Sequence, residues 1–173
     1  MCTNVLMGQV DVSKTIARLS YSVVEKLPTD DLVILGIHTG GAVLAKRMAS
    51  FLEEKKGIKV PVGVLDITSF RDDLPKEDGY KDKTQIDFSV VGKTVVLVDD
   101  VLYTGRTVRA ALNAINVLGR PKFVSLAVLV DRGHRELPIR PDFVGKNIPT
   151  NSEQKVDVKF EEIDGYDAVE IFN

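Results

Sequence analysis

The sequence predicts a doubly wound α/β fold, in which a mainly parallel sheet is covered by helices on both faces. Three short apolar runs lead to this prediction, at residues 32–37, 94–98 and 123–130. Runs of this length without polar alternation are typical of strands buried on both faces of a parallel sheet. Because helical periodicity follows the first two runs, strands and helices alternate along the chain as this class requires.

The predicted elements follow in chain order. A first helix is expected over residues 11–27, with Asp11 or Ser13 as its cap. A second helix follows the turn at residues 38–41 and ends at Gly57, and a strand-rich run covers residues 60–67. The third helix starts near Gly105 and has one apolar face, formed by Val108, Ala111, Leu112, Ile115 and Leu118.

The rest of the chain shows two other patterns. Residues 69–87 are polar, and a loop of this length inside a compact domain is usually functional or disordered. Near the end, Val156, Val158 and Phe160 alternate with polar residues, which predicts an antiparallel strand with residues 168–172 as its partner. No internal repeat or linker divides the chain, so we expect a single domain over residues 1–173.

Composition limits the possible classes of protein. Charged residues make up 28% of the chain, and no apolar run approaches the roughly 20 residues of a membrane span, so we expect a soluble protein with no membrane partner. The single cysteine, Cys2, excludes an internal disulfide and fits a reducing cytoplasm. The net charge of −2 counts against a dedicated nucleic-acid binder, which usually carries a basic excess.

The most informative stretch ends a buried strand in two carboxylates and then opens a helix through a small polar loop. Amides at a helix N-terminus bind anions, and Gly105 lets the backbone approach a phosphate closely. Carboxylates accept hydrogen bonds from the hydroxyls of a sugar. One loop therefore offers a phosphate site beside a diol site, as a ribose 5-phosphate requires. The stretch comprises Val95, Val96, Leu97, Val98, Asp99, Asp100, Val101, Leu102, Tyr103, Thr104, Gly105, Arg106 and Thr107.

Three other features of the sequence do not indicate a nucleotide-binding P-loop, a zinc site or a catalytic histidine. The triplet Gly92-Lys93-Thr94 imitates the end of a P-loop, but Asp87 stands where the first glycine is needed and a strand follows instead of a helix. Clusters of cysteine and histidine are absent, which argues against a zinc site. His134 lies in a charged loop, where a structural role is the commoner one.

The thirteen-residue stretch resembles the phosphoribosyl pyrophosphate motif of the type I phosphoribosyltransferases. Residues 66–73, 130–140 and 144–150 narrow the resemblance to pyrimidine operon regulators that are also uracil phosphoribosyltransferases. The resemblance covers nearly the whole chain, from about Asp11 onward. It implies a type I phosphoribosyltransferase fold with a flexible hood at about residues 69–90 and a C-terminal antiparallel extension.

The resemblance also implies an activity and its residues. Uracil and phosphoribosyl pyrophosphate would give UMP and pyrophosphate with Mg²⁺, the metal being held through the substrate and not directly by the protein. We expect a homo-oligomer, a dimer or higher, and a cytoplasmic location. The implied roles are the ribose hydroxyls for Asp99 and Asp100, the 5-phosphate for residues 104–107, and the pyrophosphate loop for Thr39, Gly40 and Gly41 beside His38. Arg71 and Asp72 would close the hood, and Lys146 and Ile148 would frame the base. Asp131 and Arg132 would either support the site residues from behind or contact the metal through water.

Two positions depart from the family's pattern. The pyrophosphate loop normally has an arginine where this chain has Gly40, so an arginine placed there is expected to strengthen binding of phosphoribosyl pyrophosphate. On the first helix, Ala17 and Tyr21 replace a threonine and a histidine that such regulators use on messenger RNA. Arg18 remains, and Arg135, Arg140 and Lys146 form either a basic patch for RNA or a solvated charged loop.

Three functions therefore stay open. The first is an enzyme that makes UMP, and the second is an RNA-binding attenuation regulator that uses the nucleotide site as a sensor. These two can coexist on one chain. The third is a phosphoribosyltransferase for another base, such as a purine.

Overall fold

The architecture is described from a computed structural model, which covers residues 3–75 and 78–173. Cys2 and the hood residues Lys76 and Glu77 lie outside the described residues. The strands are β1 (Thr3–Met7), β2 (Leu32–Ile37), β3 (Val62–Leu65), β4 (Thr94–Leu102), β5 (Phe123–Asp131), β6 (Phe143–Asn147), β7 (Lys155–Lys159) and β8 (Ala168–Phe172). The helices are α1 (Gln9–Lys26), α2 (Gly40–Lys56), α3 (Arg106–Leu118) and α4 (Glu161–Asp164), with a 3₁₀ turn at Thr68–Phe70.

Five strands form a parallel sheet in the order β3-β2-β4-β5-β6. The chain leaves β2 towards β3 on one side and leaves β4 towards β5 on the other side, so the winding direction reverses between β2 and β4. Such a reversal leaves a crevice at the carboxyl ends of the two strands, where ligands bind in open α/β sheets. The predicted doubly wound fold is confirmed.

Helices cover both faces of this sheet. On one face, α1 and α2 bury Leu19 and Leu44 in a core shared with Val96 of β4. On the other face, α3 buries Val108 and Ile115 in a second core. Successive residues of β4 point alternately into the two cores, and this alternation fixes the register of the strand. The carboxyl end of β4 therefore lies at the crevice.

A second, antiparallel sheet has the order β1-β8-β7 and confirms the C-terminal extension. Two of the strands in the fold were not predicted. All of β1 except Met7 is exposed, so it lacks an apolar pattern, and β6 contains Gly145, Lys146 and Asn147 in a run of only five residues. Phe160 belongs to neither sheet, although it is buried, because it stands immediately before α4.

Three further predictions are corrected. Helix α1 begins at Gln9 after Gly8, and Asp11 accepts a hydrogen bond from the Gly8 amide (3.3 Å) instead of capping a later start. Leu112 and Leu118 are 36% and 41% exposed, so the apolar face of α3 is narrower than predicted. Strand β4 continues to Leu102, beyond the two carboxylates that were expected to end it.

Within residues 3–75 and 78–173, no helix combines the length and the apolar character that a membrane crossing would need.

Candidate active site at the carboxyl ends of β2 and β4

The two carboxylates of β4 lie in different environments. Asp99 is 6% exposed, whereas Asp100 is half-buried. The Asp100 amide donates to Asp99 Oδ1 (3.0 Å), and the Val101 amide donates to Asp100 Oδ1 (2.8 Å). Burial, together with the negative charge of Asp100, raises the pKa of Asp99 well above its usual range, and the charge of Arg71 opposes this. The pair is therefore held by backbone amides in a position that favours an arriving cation or hydrogen-bond donor.

The loop after β4 forms the predicted helix N-terminus. Gly105 has a positive φ of 94°, and α3 starts at the next residue. The Arg106 amide donates to Thr104 Oγ1 (3.3 Å), and the following amides of the first turn have no acceptor within the helix. The helix dipole places partial positive charge at the same point. This arrangement suits a phosphate group.

A cavity of about 340 Å³ joins these two features. From the predicted set it brings together Asp99, the loop residues 101–107 and Arg71. It adds two acids that were not predicted as site residues, Asp73 and Glu136. Residues Val95–Val98 do not line it, because they are fully buried and hold β4 in the two cores. The cavity therefore brings Asp99 beside the N-terminal turn of α3, whereas Asp100, Asp72 and the loop residues Thr39, Gly40 and Gly41 are not among its lining residues.

The loop between β2 and α2 passes very close to β4. A side chain at Gly40 would place its Cβ 2.7 Å from Asp100 Cγ, and one at Gly41 would place its Cβ 3.1 Å from Asp99 Cα. The first separation is shorter than real Cβ contacts, and the second is tighter than most of them. A side chain at Gly40 would have to displace the carboxylate of Asp100, and the expectation that an arginine there strengthens binding stays a prediction.

The hood reaches the first turn of α3 through charged side chains. Arg71 donates to Thr107 Oγ1 (3.0 Å) and to Asp73 (2.7 Å). Asp72 lies 3.3 Å from Arg106 and also pairs with Arg109. Carboxylates of the hood are thus paired with arginines at the cavity, and an incoming phosphate would compete with these carboxylates for the arginines.

Asp66 was not predicted as a site residue, although it opens one of the family-like segments. It follows β3, is 5% exposed, and its two oxygens accept four hydrogen bonds. The donors are the Thr68 amide (3.1 Å) and hydroxyl (2.8 Å), the Lys83 amide (3.0 Å) and the Tyr80 hydroxyl. Burial alone would raise the pKa of Asp66, but these donors lower it to about 2. Asp66 anchors both ends of the hood.

The residues predicted to frame the base lie outside the cavity. Ile148 is buried in the core beneath α1, and its amide donates to the Asp131 carbonyl (2.8 Å), while Lys146 is exposed on β6. Asp131 accepts from Arg135 (2.6 Å) and from the Gly133 amide (3.0 Å). Burial raises the pKa of Asp131, but these bonds lower it below its usual value. Both oxygens of Asp131 are thus already engaged by the protein.

Comparison with known proteins agrees with this geometry. Residues 9–163 match the phosphoribosyl transferase domain family. The bifunctional protein PyrR of Thermus aquaticus is 55% identical over 171 residues, covering 96% of this chain and 94% of that protein. The bifunctional protein PyrR of Limosilactobacillus fermentum is 53% identical, covering 94% and 93%. A hypoxanthine phosphoribosyltransferase from Staphylococcus aureus has a TM-score of 0.67 at 20% identity, over 86% of this chain and 79% of that chain, which shows a shared fold.

Proposed function

This chain belongs to the phosphoribosyl transferase family, and we propose that it is a uracil phosphoribosyltransferase, which makes UMP and pyrophosphate from uracil and phosphoribosyl pyrophosphate. The observation that carries the proposal is the cavity in which buried Asp99 lies beside the N-terminus of α3. A carboxylate pair for hydroxyls next to an amide cradle for phosphate matches ribose 5-phosphate in one continuous surface. Uracil as the base rests on the segments at residues 130–140 and 144–150 and on the high identity to the PyrR proteins.

The reaction needs positioning and charge stabilisation instead of a protein nucleophile. The carbon–nitrogen bond to uracil forms as the bond to pyrophosphate breaks, and positive charge develops on the ribose ring. Asp99 and Asp100 hold the ribose hydroxyls and favour that charge. Residues 104–107 hold the 5-phosphate, and the loop with Thr39, Gly40 and Gly41 holds the pyrophosphate. Closure of the hood, which carries Arg71 and Asp72, over the substrate excludes water, which would otherwise hydrolyse the activated sugar.

The carboxylate pair fits a magnesium ion that arrives with the substrate. Magnesium takes oxygen ligands and is usually held by one or two carboxylates together with substrate phosphates. In the described ranges, no three His, Cys, Asp or Glu side chains form a cluster that could hold a metal by themselves. The ion would be held through the oxygens of the substrate, with Asp99 and Asp100 beside it, and Asp131 would act through water by its remaining lone pairs. When bound, Mg²⁺ neutralises charge on the pyrophosphate leaving group.

The test of base preference is product formation. We expect UMP from uracil at a kcat/KM at least a hundredfold above that of nucleotide formation from hypoxanthine or adenine, measured in parallel with phosphoribosyl pyrophosphate and Mg²⁺. Equal or faster reaction with a purine would overturn uracil as the substrate and favour a purine phosphoribosyltransferase, while leaving the fold and the ribose 5-phosphate site in place.

A second function follows from the relatives, which are described as bifunctional. We propose that RNA binding by a single subunit is weak and salt-sensitive. Tyr21 packs edge-on against Phe51 (5.0 Å), so its ring is engaged, and Ala17 offers no polar group. Arg135 is bonded to Asp131, to the Ile139 carbonyl (2.8 Å) and to the Tyr103 carbonyl (2.9 Å).

The remaining basic residues divide between the two faces of the parallel sheet, with Arg18 on the α1 face and Lys146 and Arg140 on the α3 face. Arg18 of α1 donates to the Gly145 carbonyl. The next residue, Lys146, alternates with Gly145 along β6 and so points away from α1. Arg140 lines a cavity on the α3 face. An acidic subunit with dispersed cations has few phosphate contacts, and each contact contributes a salt-dependent part of the affinity.

A gel-shift titration with pyrimidine-operon leader RNA, with and without UMP, decides this question. We expect a Kd above about 1 μM at moderate salt and a steep loss of binding as salt rises. Tight, UMP-enhanced binding that survives moderate salt would overturn the proposal and make the attenuation regulator the main function. The expected homo-oligomer stays a prediction, and sedimentation velocity on the same sample measures it.

A further inference from the structure

Arg132 is a buried arginine whose partners are neutral. Its residue is 6% exposed. Nε donates to Thr150 Oγ1 (3.2 Å), and Nη2 donates to the carbonyls of Asn151 (3.3 Å) and Gln154 (2.6 Å). Within the described part of the chain, no carboxylate lies in ion-pair range of this guanidinium. Burying a charged group without a counter-ion is unfavourable, so an arginine at this position destabilises the fold more than a neutral side chain with the same hydrogen bonds would.

The guanidinium stacks on the ribose 5-phosphate loop. Its central carbon lies 4.0 Å from the ring centroid of Tyr103. The Arg132 amide donates to the carbonyl of Leu102 (3.1 Å), immediately before that tyrosine. The His134 ring meets Tyr103 edge-on at 6.1 Å. Tyr103 itself lines the cavity between Val101 and Thr107. Arg132 therefore contacts the back of the loop that holds ribose 5-phosphate.

The same side chain holds the segment that follows the base residues. Thr150 accepts from Arg132 Nε and returns a hydrogen bond to the Arg132 carbonyl (3.2 Å). His134 Nε2 contacts the Thr150 carbonyl (2.5 Å). Thr150 stands two residues after Ile148 and four after Lys146. A planar fork that donates to several oxygens while stacking on a ring is a geometry that arginine provides and lysine does not.

We propose that Arg132 is a positioning residue for phosphoribosyl transfer, because its guanidinium fixes the ribose 5-phosphate loop relative to residues 150–154, which directly follow the segment predicted to frame the base. The inference rests on the proposed function of the site. A ligand that occupies only the phosphate loop does not depend on this spacing, whereas a nucleotide that occupies both sides does. Arg132 is thus expected to affect UMP and ribose 5-phosphate differently.

The test compares binding of UMP and of ribose 5-phosphate by isothermal titration in the full-length protein, in the parent, Arg132→Lys and the exposed control Arg120→Lys. For Arg132→Lys we expect UMP affinity to fall at least tenfold, ribose 5-phosphate affinity to change less than threefold, and kcat/KM for UMP formation to fall at least tenfold. Arg120→Lys should match the parent in all three. Equal losses for both ligands, or no loss for either, would overturn the proposal.

A second variant covers the case in which Arg132→Lys does not fold. Thr150→Val removes one hydroxyl from a half-buried position, and we expect it to weaken UMP binding about threefold without changing the affinity for ribose 5-phosphate. Unchanged UMP affinity in a folded Thr150→Val would contradict the inference. Failure of the proposed function is a separate result, since the parent protein would then bind neither UMP nor ribose 5-phosphate.

Discussion

Asp66 follows β3 and Asp99 lies in the second half of β4, in the same sheet, and the two residues are almost equally exposed to solvent, at 5% and 6%. Their pKa values nevertheless move in opposite directions. The pKa of Asp66 falls to about 2, whereas the pKa of Asp99 rises well above its usual range. Burial is the largest single influence on both and raises both pKa values, but it acts more strongly on Asp99, which lies deeper in the protein than Asp66.

The remaining difference between the two pKa values lies in the groups that surround each carboxylate. Asp66 accepts four hydrogen bonds, and donors favour the charged form. Asp99 accepts the amide of Asp100 and lies beside a second negative charge. One carboxylate is satisfied by the protein and stabilises the hood. Asp99 keeps oxygen lone pairs that can bind a cation or accept a hydrogen bond from a ligand, and a carboxylate with a pKa perturbed in this way is typical of a binding site.

The largest effect is expected from removing both charges of the β4 pair. In Asp99→Asn/Asp100→Asn, kcat/KM for UMP formation should fall at least about 10³-fold, since charge stabilisation of this kind contributes several kcal/mol to a transition state. The fold should persist, because the amides replace the carboxylates at equal size. Steady-state assays and circular dichroism measure the two quantities. The adjacent exposed acids give the matched control, Asp30→Asn/Asp31→Asn, which should keep parental activity.

A tenfold effect is expected from the glycine that contacts the pair. Gly40→Ala should raise KM for phosphoribosyl pyrophosphate about tenfold, because the added Cβ displaces Asp100 and widens the pyrophosphate loop. Gly8→Ala is the control, since a Cβ there meets nothing within 4 Å. If Gly40→Ala had a parental KM, Asp100 would be free to move without consequence, and its role in the site would be contradicted.

A smaller effect on stability is expected at Asp66. Asp66→Asn replaces an acceptor by an amide that faces donors, and it should lower the free energy of unfolding by about 1–2 kcal/mol at pH 7. Because the folded pKa of Asp66 is lowered, its contribution is complete above the unfolded value near 4 and is lost as pH falls through about 2. Urea unfolding of parent and variant should therefore converge in acid. The exposed Asp78→Asn, in the same loop, should show no difference at any pH.

The smallest effect, and the one of opposite sign, is expected at Asp99. Asp99→Asn removes a charge that burial disfavours, so it should raise Tm at pH 7 by about 2–4 °C, the shift that roughly 1 kcal/mol gives in a chain of this length. Because the pKa of Asp99 is raised in the folded protein, the protein loses stability as pH rises above about 4, the pKa of this carboxyl in the unfolded chain. The Tm difference should shrink towards pH 4. A lower Tm for Asp99→Asn at neutral pH would show that Asp99 is satisfied in the way that Asp66 is.

Much of the fold could be predicted from the sequence, because apolar runs such as residues 32–37 record burial on both faces directly. Strands β1 and β6 could not, since β1 is exposed except at Met7 and β6 is a run of only five residues that includes Gly145, Lys146 and Asn147. The run from Asp99 to Thr107 indicated a phosphate and diol site, because carboxylates accept from hydroxyls, whereas a glycine and the amides of a helix N-terminus suit a phosphate. The true end of β4 was missed, since a carboxylate inside a strand looks the same in sequence as one at its end.

Contacts between distant segments could not be predicted. Nothing in the string of residues 38–41 shows that Gly40 packs against Asp100, sixty positions later. The signal for Asp66 was available, because an acid directly after an apolar strand and before a threonine commonly accepts bonds from the following turn. For Arg132, only the fold brings together the tyrosine and the carbonyls that surround it.

Asp99 and Asp100 are proposed to bind the ribose hydroxyls beside the phosphate site. The most direct test compares the affinity for UMP with the affinity for 2′,3′-dideoxy-UMP, which keeps the base and the phosphate but lacks both ribose hydroxyls. Isothermal titration should give at least tenfold tighter binding of UMP to the parent protein. The discrimination should disappear in Asp99→Asn/Asp100→Asn, while binding of the dideoxy nucleotide stays within about threefold of the parent. Undiminished discrimination in that variant would contradict the account.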